Sequence, residues 1–231
     1  MVIQKLEPSK HKEGRWLVWL EDGSPVRIGE GDVVSLGLYA GKALAGDEGE
    51  ALAAAEQRSK LMERAVGLLA LRPMSRRELL DKLCAPPRSK KGKYPYDKLD
   101  DSPDRSAPQS QREALREQAE AVADRLTDLG LLNDGEYACT VARHYAGKGY
   151  GPRKIRDELY RRGVPREYWE DALAGAETDE RWIDKLARQK LREAEPTREN
   201  LKKVSDYLAR RGYGWEEISS ALERIREEYD T

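Results

Sequence analysis

The sequence predicts a mainly α protein: three tandem three-helix repeats in an elongated, curved array, with a small N-terminal β-hairpin module ahead of them. Three observations predict this fold. Apolar residues recur at helical spacing from about Asp47 onward. Strand-like alternation is confined to the residues before that point. One segment recurs along the chain, and each copy carries an apolar face that a neighbouring copy would have to cover.

The leading module spans residues 1–46. Ile3 and Leu6 mark a short strand, Arg15–Glu21 alternates and is rich in Trp and Val, and Ser24–Ile28 returns beside it. Asp22 and Gly23 between them fit a two-residue type I′ turn. Pro25 has no amide proton to give a ladder, so the returning strand belongs on an edge. Gly31–Tyr39 has room for a short helical turn.

The first repeat spans residues 47–132. Leu61, Ala65, Leu68 and Leu69 keep the helical period until Pro73 stops the helix. Ser75, Arg76, Arg77 and Glu78 form a capping box, opening a second helix that carries Leu79, Leu80 and Leu83. The stretch 84–112 then breaks every pattern. It holds five of the eleven prolines, a basic run Arg88–Lys93 and an acidic run Asp97–Asp104. Such a composition buries too little apolar area to offset chain entropy, so it reads as a disordered insertion inside the first repeat. Helix resumes near Glu113 and runs through Val122, Leu126 and Leu129 to a glycine cap at Gly130. The second repeat, residues 133–176, opens with another capping box, Asn133 to Glu136, and continues through Tyr137, Val141 and Tyr145. The third spans residues 177–231.

Laying Gly151–Leu173 over Asn200–Leu222, a shift of 49, matches nine residues in 23. Chance at ordinary residue frequencies gives roughly one or two. The matches include Leu159 with Leu208, and Arg161, Arg162 and Gly163 with Arg210, Arg211 and Gly212. A shift of 76 brings Arg77, Leu79, Asp81 and Leu83 onto Arg153, Ile155, Asp157 and Leu159, so the unit occurs three times.

Charged residues make up 37% of the chain and net charge is −1, which argues against a dedicated, wholly basic nucleic-acid binder. The charge is unevenly spread. Gly147–Arg166 carries seven bases against two acids, and Tyr213–Thr231 six acids against two bases. Faces of opposite sign suit docking on a mixed-charge protein surface. Two lone cysteines, Cys84 and Cys139, fit a reducing compartment, and no apolar run reaches the roughly 18 residues of a membrane span. A cytoplasmic protein without a membrane anchor is expected.

Familiar catalytic motifs are missing from the sequence. Gly147–Gly151 lacks the spacing and ending of a phosphate-binding loop, and two histidines with two separated cysteines make no zinc set. His144 reads as a packing or surface residue, and Trp169 and Trp182 as core. The expectation is a binding protein with no catalytic site, no metal and no cofactor. The repeated arginine pairs have two readings. As cations near a helix C-terminus they favour the macrodipole by a few tenths of a kcal/mol each and contribute little to folding. As a stripe they bind carboxylates or phosphates. On charge and repeat position the candidate partner-binding residues are Arg153, Lys154, Arg161, Arg162, Lys202, Lys203, Arg210 and Arg211. The alternative is a helical nucleic-acid-binding module, which presents a basic second helix to a duplex.

The stretches from Ser75 to Leu83, Leu126 to Asp134, Tyr150 to Leu173 and Leu201 to Ile218 together resemble the RecX family of regulatory proteins. The resemblance covers roughly Ser59 to Glu228. It implies three tandem three-helix repeats and a monomer that binds the RecA recombinase filament. By resemblance the protein lies in the groove of that filament and inhibits its ATPase, strand-exchange and co-protease activities, with weak DNA contact left open. The insertion at 84–112 departs from the short turn expected there.

Overall fold

The computed structural model describes residues 1–85, 108–176, 180–192 and 194–229. Those residues form a three-stranded sheet and ten α-helices, in two compact units. The first unit holds residues 1–72 and 79–131; the second holds residues 73–78 and 132–231.

In the first unit the strands β1 (Ile3–Pro8), β2 (Arg15–Leu20) and β3 (Pro25–Gly29) pair antiparallel in sequence order. Leu17 stands opposite Glu7 on one side and Arg27 on the other. Pro25 therefore lies on an edge strand, where its missing N–H costs no ladder bond. The β2–β3 turn differs from the expected type I′. Gly23 has φ 78° while Asp22 does not enter the left-handed region, and Gly23 N donates to Leu20 O at 3.0 Å. The loop is thus three residues, Glu21 to Gly23, with Asp22 Oδ1 accepting from the Ser24 amide at 2.9 Å. A short polar side chain that bonds its own backbone favours this form over two successive left-handed residues.

Alternation along the strands puts Ile3, Val18, Leu20 and Ile28 on one buried face. That face packs on Leu38 and Leu44, and on Leu52 and Ala55 of α2 (Gly46–Leu71). The short α1 (Glu30–Ser35) lies between sheet and α2 in sequence. Because sheet and α2 share one core, the strand module and the start of the first repeat form a single body. Further along α2, Leu61 and Ala65 are buried as their spacing requires, and α2 packs on α4 (Gln109–Asp128). The α4 residues Ala119, Val122, Ala123 and Leu126 are its buried stripe.

The helix α3 (Arg76–Cys84) buries Leu79, Leu80 and Leu83. Arg64 of α2 closes its C-terminal end, donating to the carbonyls of Lys82 at 2.7 Å and Ala85 at 3.2 Å. Helix structure reaches further into the expected insertion than composition suggests. Cys84 still belongs to α3, and Gln109–Arg112 already belong to α4. The insertion's centre, residues 86–107, lies outside the described residues.

In the second unit, α5 (Asp134–Ala146), α6 (Pro152–Arg161) and α7 (Trp169–Ala174) enclose one core, with a single 3₁₀ turn at Arg166–Tyr168 before α7. A second core belongs to α8 (Glu180–Leu191), α9 (Arg198–Arg210) and α10 (Trp215–Tyr229). The 49-residue register holds in the packing: Ile155 and Val204, Leu159 and Leu208, and Ala172 and Ala221 are all buried. Trp169 is half-buried against the first of these cores, its indole donating to Val164 O at 3.0 Å. Trp182 departs from expectation. It is half-buried and outside the third-repeat cluster, with the Lys185 ammonium 4.7 Å from its ring centroid. Its indole shelters a cation stem at the edge of the bundle instead of filling the centre.

Candidate functional site

The arginine pairs stand at the turns that end α6 and α9. In each, a helix closes with a Schellman-type bond: Val164 N donates to Leu159 O at 3.0 Å, and Tyr213 N to Leu208 O at 3.3 Å. The residue that reverses the chain is Gly163 in one and Gly212 in the other, at φ 70° and 92°. Both glycines are also needed for space. A Cβ on Gly163 would come within 2.5 Å of the Arg77 side chain, and one on Gly212 within 2.4 Å of the Lys154 amide nitrogen.

These turns are the joints between successive second helices. The Ser75 hydroxyl, at the N-cap of α3, donates to Arg162 O at 2.5 Å and accepts from the Glu78 amide at 3.1 Å. One repeat later Gly151, at the N-cap of α6, donates through its amide to Arg211 O at 2.9 Å. Arg153 N donates to Gly212 O at 3.0 Å. Ser75 and Gly151 correspond under the 76-residue shift, and Arg162 and Arg211 under the 49-residue shift. The same joint is therefore made twice. A helix N-terminus needs acceptors for its free amides, and a helix C-terminus needs donors for its carbonyls.

Within each pair the two arginines do different work. Arg161 is 70% exposed, but its Nη2 donates to both carboxylate oxygens of Glu158 at 2.7 and 2.8 Å. Arg162 is 31% exposed and bonds Glu158 at 3.3 Å and the Tyr137 hydroxyl at 2.9 Å. Glu158 is 6% exposed, a buried charge held inside the second repeat. Burial pushes its carboxyl up, but hydrogen bonds from Arg161, Tyr145 and Arg162 outweigh that and hold it below the ordinary carboxylate value. The expectation that these cations contribute little to folding therefore fails for Arg162, which neutralises a buried carboxylate.

In the third repeat the position of Glu158 is taken by Tyr207. Arg211 is half-buried; its Nη1 donates to Lys148 O at 2.9 Å and Gly149 O at 3.2 Å. Its guanidinium carbon lies 5.1 Å from the Tyr150 ring centroid and 5.2 Å from that of Tyr207. The neighbouring Tyr213 hydroxyl also reaches Gly149 O, at 3.3 Å, and burial pushes it up to about 12. Arg210 is exposed.

The remaining candidates divide similarly. Arg153, Lys202 and Lys203 are exposed, Lys203 paired with Glu199 at 2.8 Å, and Lys154 is half-buried under Gly212. The structure brings Arg153, Lys154 and Arg211 to one joint; Arg161 and Arg162 belong to the other. Sequence reasoning missed Glu158, Tyr150, Tyr207 and Lys148. The signal that marks two of them is the mismatch Glu158/Tyr207 within an otherwise matching register. Among the described residues no group of acidic, histidine or cysteine side chains could hold a metal, and no helix is long and apolar enough to cross a membrane.

The chain is similar to known proteins over these helices. Residues 133–173 match the model of the second three-helix domain of RecX, and residues 179–222 that of the third. The regulatory protein RecX of Xanthomonas axonopodis pv. citri (strain 306) is 36% identical over 164 residues, covering 69% of this chain and 84% of the relative. That of Shigella sonnei (strain Ss046) is 32% identical, covering 69% and 88%. Among solved structures, a crystal structure of regulatory protein RecX aligns over 98% of both chains with TM-score 0.70 at 24% identity. RecX from Lactobacillus salivarius aligns over 74% of this chain and 98% of its own with TM-score 0.58 at 19% identity. These two share the fold.

Proposed function

The chain belongs to the RecX family of regulatory proteins, and from that premise we propose that it binds the RecA recombinase filament and inhibits its ATPase, strand-exchange and co-protease activities. The observation that carries the reading is the repeated joint. It holds Arg161 and Arg210 as exposed cations at corresponding places of successive repeats, and Arg153 and Lys202 are exposed at corresponding places on α6 and α9. A filament is itself a repeat of identical protomers, so a ligand with repeated contacts gains affinity by engaging more than one of them. The chemistry on these turns is recognition of carboxylates or phosphates.

The test is ATP hydrolysis by RecA on single-stranded DNA with increasing amounts of the purified chain, alongside co-sedimentation with the filament. Hydrolysis falls and the chain sediments with RecA if the reading holds. Unchanged hydrolysis with no co-sedimentation overturns it. Tight binding to naked DNA that weakens steeply with salt, with inhibition only through competition for DNA, replaces it by the nucleic-acid-binding reading.

A further inference from the structure

The two arginine pairs are equivalent in sequence and unlike in what they leave open. In the second repeat Glu158 takes the Arg161 guanidinium on both its oxygens and also bonds Arg162. In the third repeat no carboxylate does this: none of the described ion pairs includes Arg210 or Arg211. The nearby Glu217 carboxylate is spent on the Gly214 amide at 2.6 Å. The joint at the turn of the third repeat therefore carries cationic charge that the joint at the turn of the second repeat neutralises internally.

Arg211 is also fixed in place. Its Nη1 is anchored on the carbonyls of Lys148 and Gly149, and the Tyr150 and Tyr207 rings stand against the guanidinium. Lys190 sits over the other part of this aromatic group, 5.6 Å from the Tyr207 centroid. That leaves Nε–H and Nη2 without a hydrogen-bond partner among the described residues. Those two nitrogens form the side of the guanidinium whose parallel N–H bonds match a carboxylate. A side chain already ordered loses little freedom on binding, and Arg and Tyr are the residue types that most often dominate protein interfaces.

We propose that the Nε–Nη2 edge of Arg211, flanked by the exposed Arg210, Lys148 and Lys190, is a preorganised carboxylate-reading contact for an acidic protein surface. It rests on the reading that the partner is the RecA filament, and it assigns the principal contact to the third repeat. With Tyr150 and Tyr207 engaged by the guanidinium, the rings are a frame for Arg211, which favours a carboxylate edge over stacked bases.

Two measurements test it. The first is filament affinity of Arg211→Lys and Arg210→Glu, with folding followed by circular dichroism and thermal melting. Arg211→Lys keeps the charge and loses the planar edge; Arg210→Glu touches no described hydrogen bond and reverses an exposed charge on the same turn. Each weakens binding tenfold or more, at an unchanged melting temperature for Arg210→Glu and a lowered one for Arg211→Lys, which gives up the bonds to Lys148 O and Gly149 O, whereas Arg161→Glu weakens binding less than threefold. Binding by both third-repeat variants within twofold of the parent overturns the proposal. The second measurement is the Arg211 Nε–H nuclear magnetic resonance signal, titrated with a hexaglutamate peptide, inorganic phosphate or a short oligothymidylate. A saturable shift with hexaglutamate exceeding that with either phosphate compound supports the proposal. An equal or larger response to phosphate or oligothymidylate overturns it. This titration stands even if the parent fails to bind RecA, which would sink the proposed partner and leave the arginine edge separately tested.

Discussion

Ser75 and Arg162, 87 residues apart, are joined by a hydrogen bond of 2.5 Å from the serine hydroxyl to the arginine's backbone carbonyl. Ser75 is 0% exposed. Its oxygen serves two helix ends at once, accepting from the first turn of α3 and satisfying the last turn of α6. Ser75→Ala removes both bonds in a site that water does not reach. A lost N-cap costs about 1 kcal/mol and a buried unsatisfied carbonyl about 1–3. The expected loss is about 2 kcal/mol, read from the urea midpoint at constant slope; Ser75→Thr, which keeps the hydroxyl, recovers part of it.

Gly212→Ala meets two penalties. The left-handed backbone disfavours any Cβ by about 1–2 kcal/mol. The added methyl also lies against the Lys154 backbone, and overpacking of this kind costs about 1–3 kcal/mol. A loss of about 3 kcal/mol is expected in chemical denaturation. A neutral result would mean the α9 turn does not seat on α6 as described.

Leu159 and Leu208 occupy the same place in successive repeats, and both are fully buried. Truncation to Ala should cost about 2–4 kcal/mol at either site through lost burial and a residual cavity. A neutral Leu208→Ala beside a destabilising Leu159→Ala would show that the third core is looser than its register implies.

The arginine pair of the second repeat separates under charge reversal. Arg162→Glu sets a second carboxylate against the buried Glu158 and should lower the melting temperature strongly. Arg161→Glu, on the exposed side, should lower it less. Equal effects would mean that both arginines support Glu158 alike.

Glu158 also fixes a pH dependence. Its folded-state value lies below the ordinary carboxylate value, so the folded state holds fewer protons on this group than the unfolded chain does. Its contribution is present in full above the unfolded value, about 4.3. It is lost as pH falls from there through the lowered folded value. Asp134 acts in the opposite sense. Burial raises its carboxyl despite the bond from the Arg76 amide, so it costs stability as pH rises from the ordinary value through the raised one. Urea midpoints between pH 3 and 7 should show Glu158→Gln with a shallower acid loss than the parent, and Asp134→Asn without the cost that the parent meets as pH rises from the ordinary aspartate value through the raised one.

The helices of the repeats were legible because their residues obey local rules. Ser75 and Asn133 are N-caps, Gly130, Gly163 and Gly212 reverse the chain after helices, and the leucine spacing predicts the buried face. The strand edge at Pro25 followed from one missing proton. The hairpin turn did not, because a two-residue and a three-residue loop share the same Asp-Gly signal and differ in the bond that Asp22 makes. The site was half legible. Charge and repetition point to the arginines, but which arginine is bound inward depends on Glu158, Tyr137 and the carbonyls of Lys148 and Gly149, all brought in by tertiary packing.

Each joint is directional: the start of one second helix is the donor, and the turn after the next repeat's second helix is the acceptor. This makes the ends of the series unlike its middle. Under the 76-residue shift the first repeat should carry its acceptor turn at Ala85, Pro86 and Pro87, where the arginine-arginine-glycine signature is missing. At the far end, α9 caps itself with the Thr197 hydroxyl, which accepts from the Asn200 amide at 3.4 Å. In register with Gly151 stands Asn200, already one turn inside α9, so the amide that reaches across the joint at Gly151 is held at Asn200 by the helix's own cap.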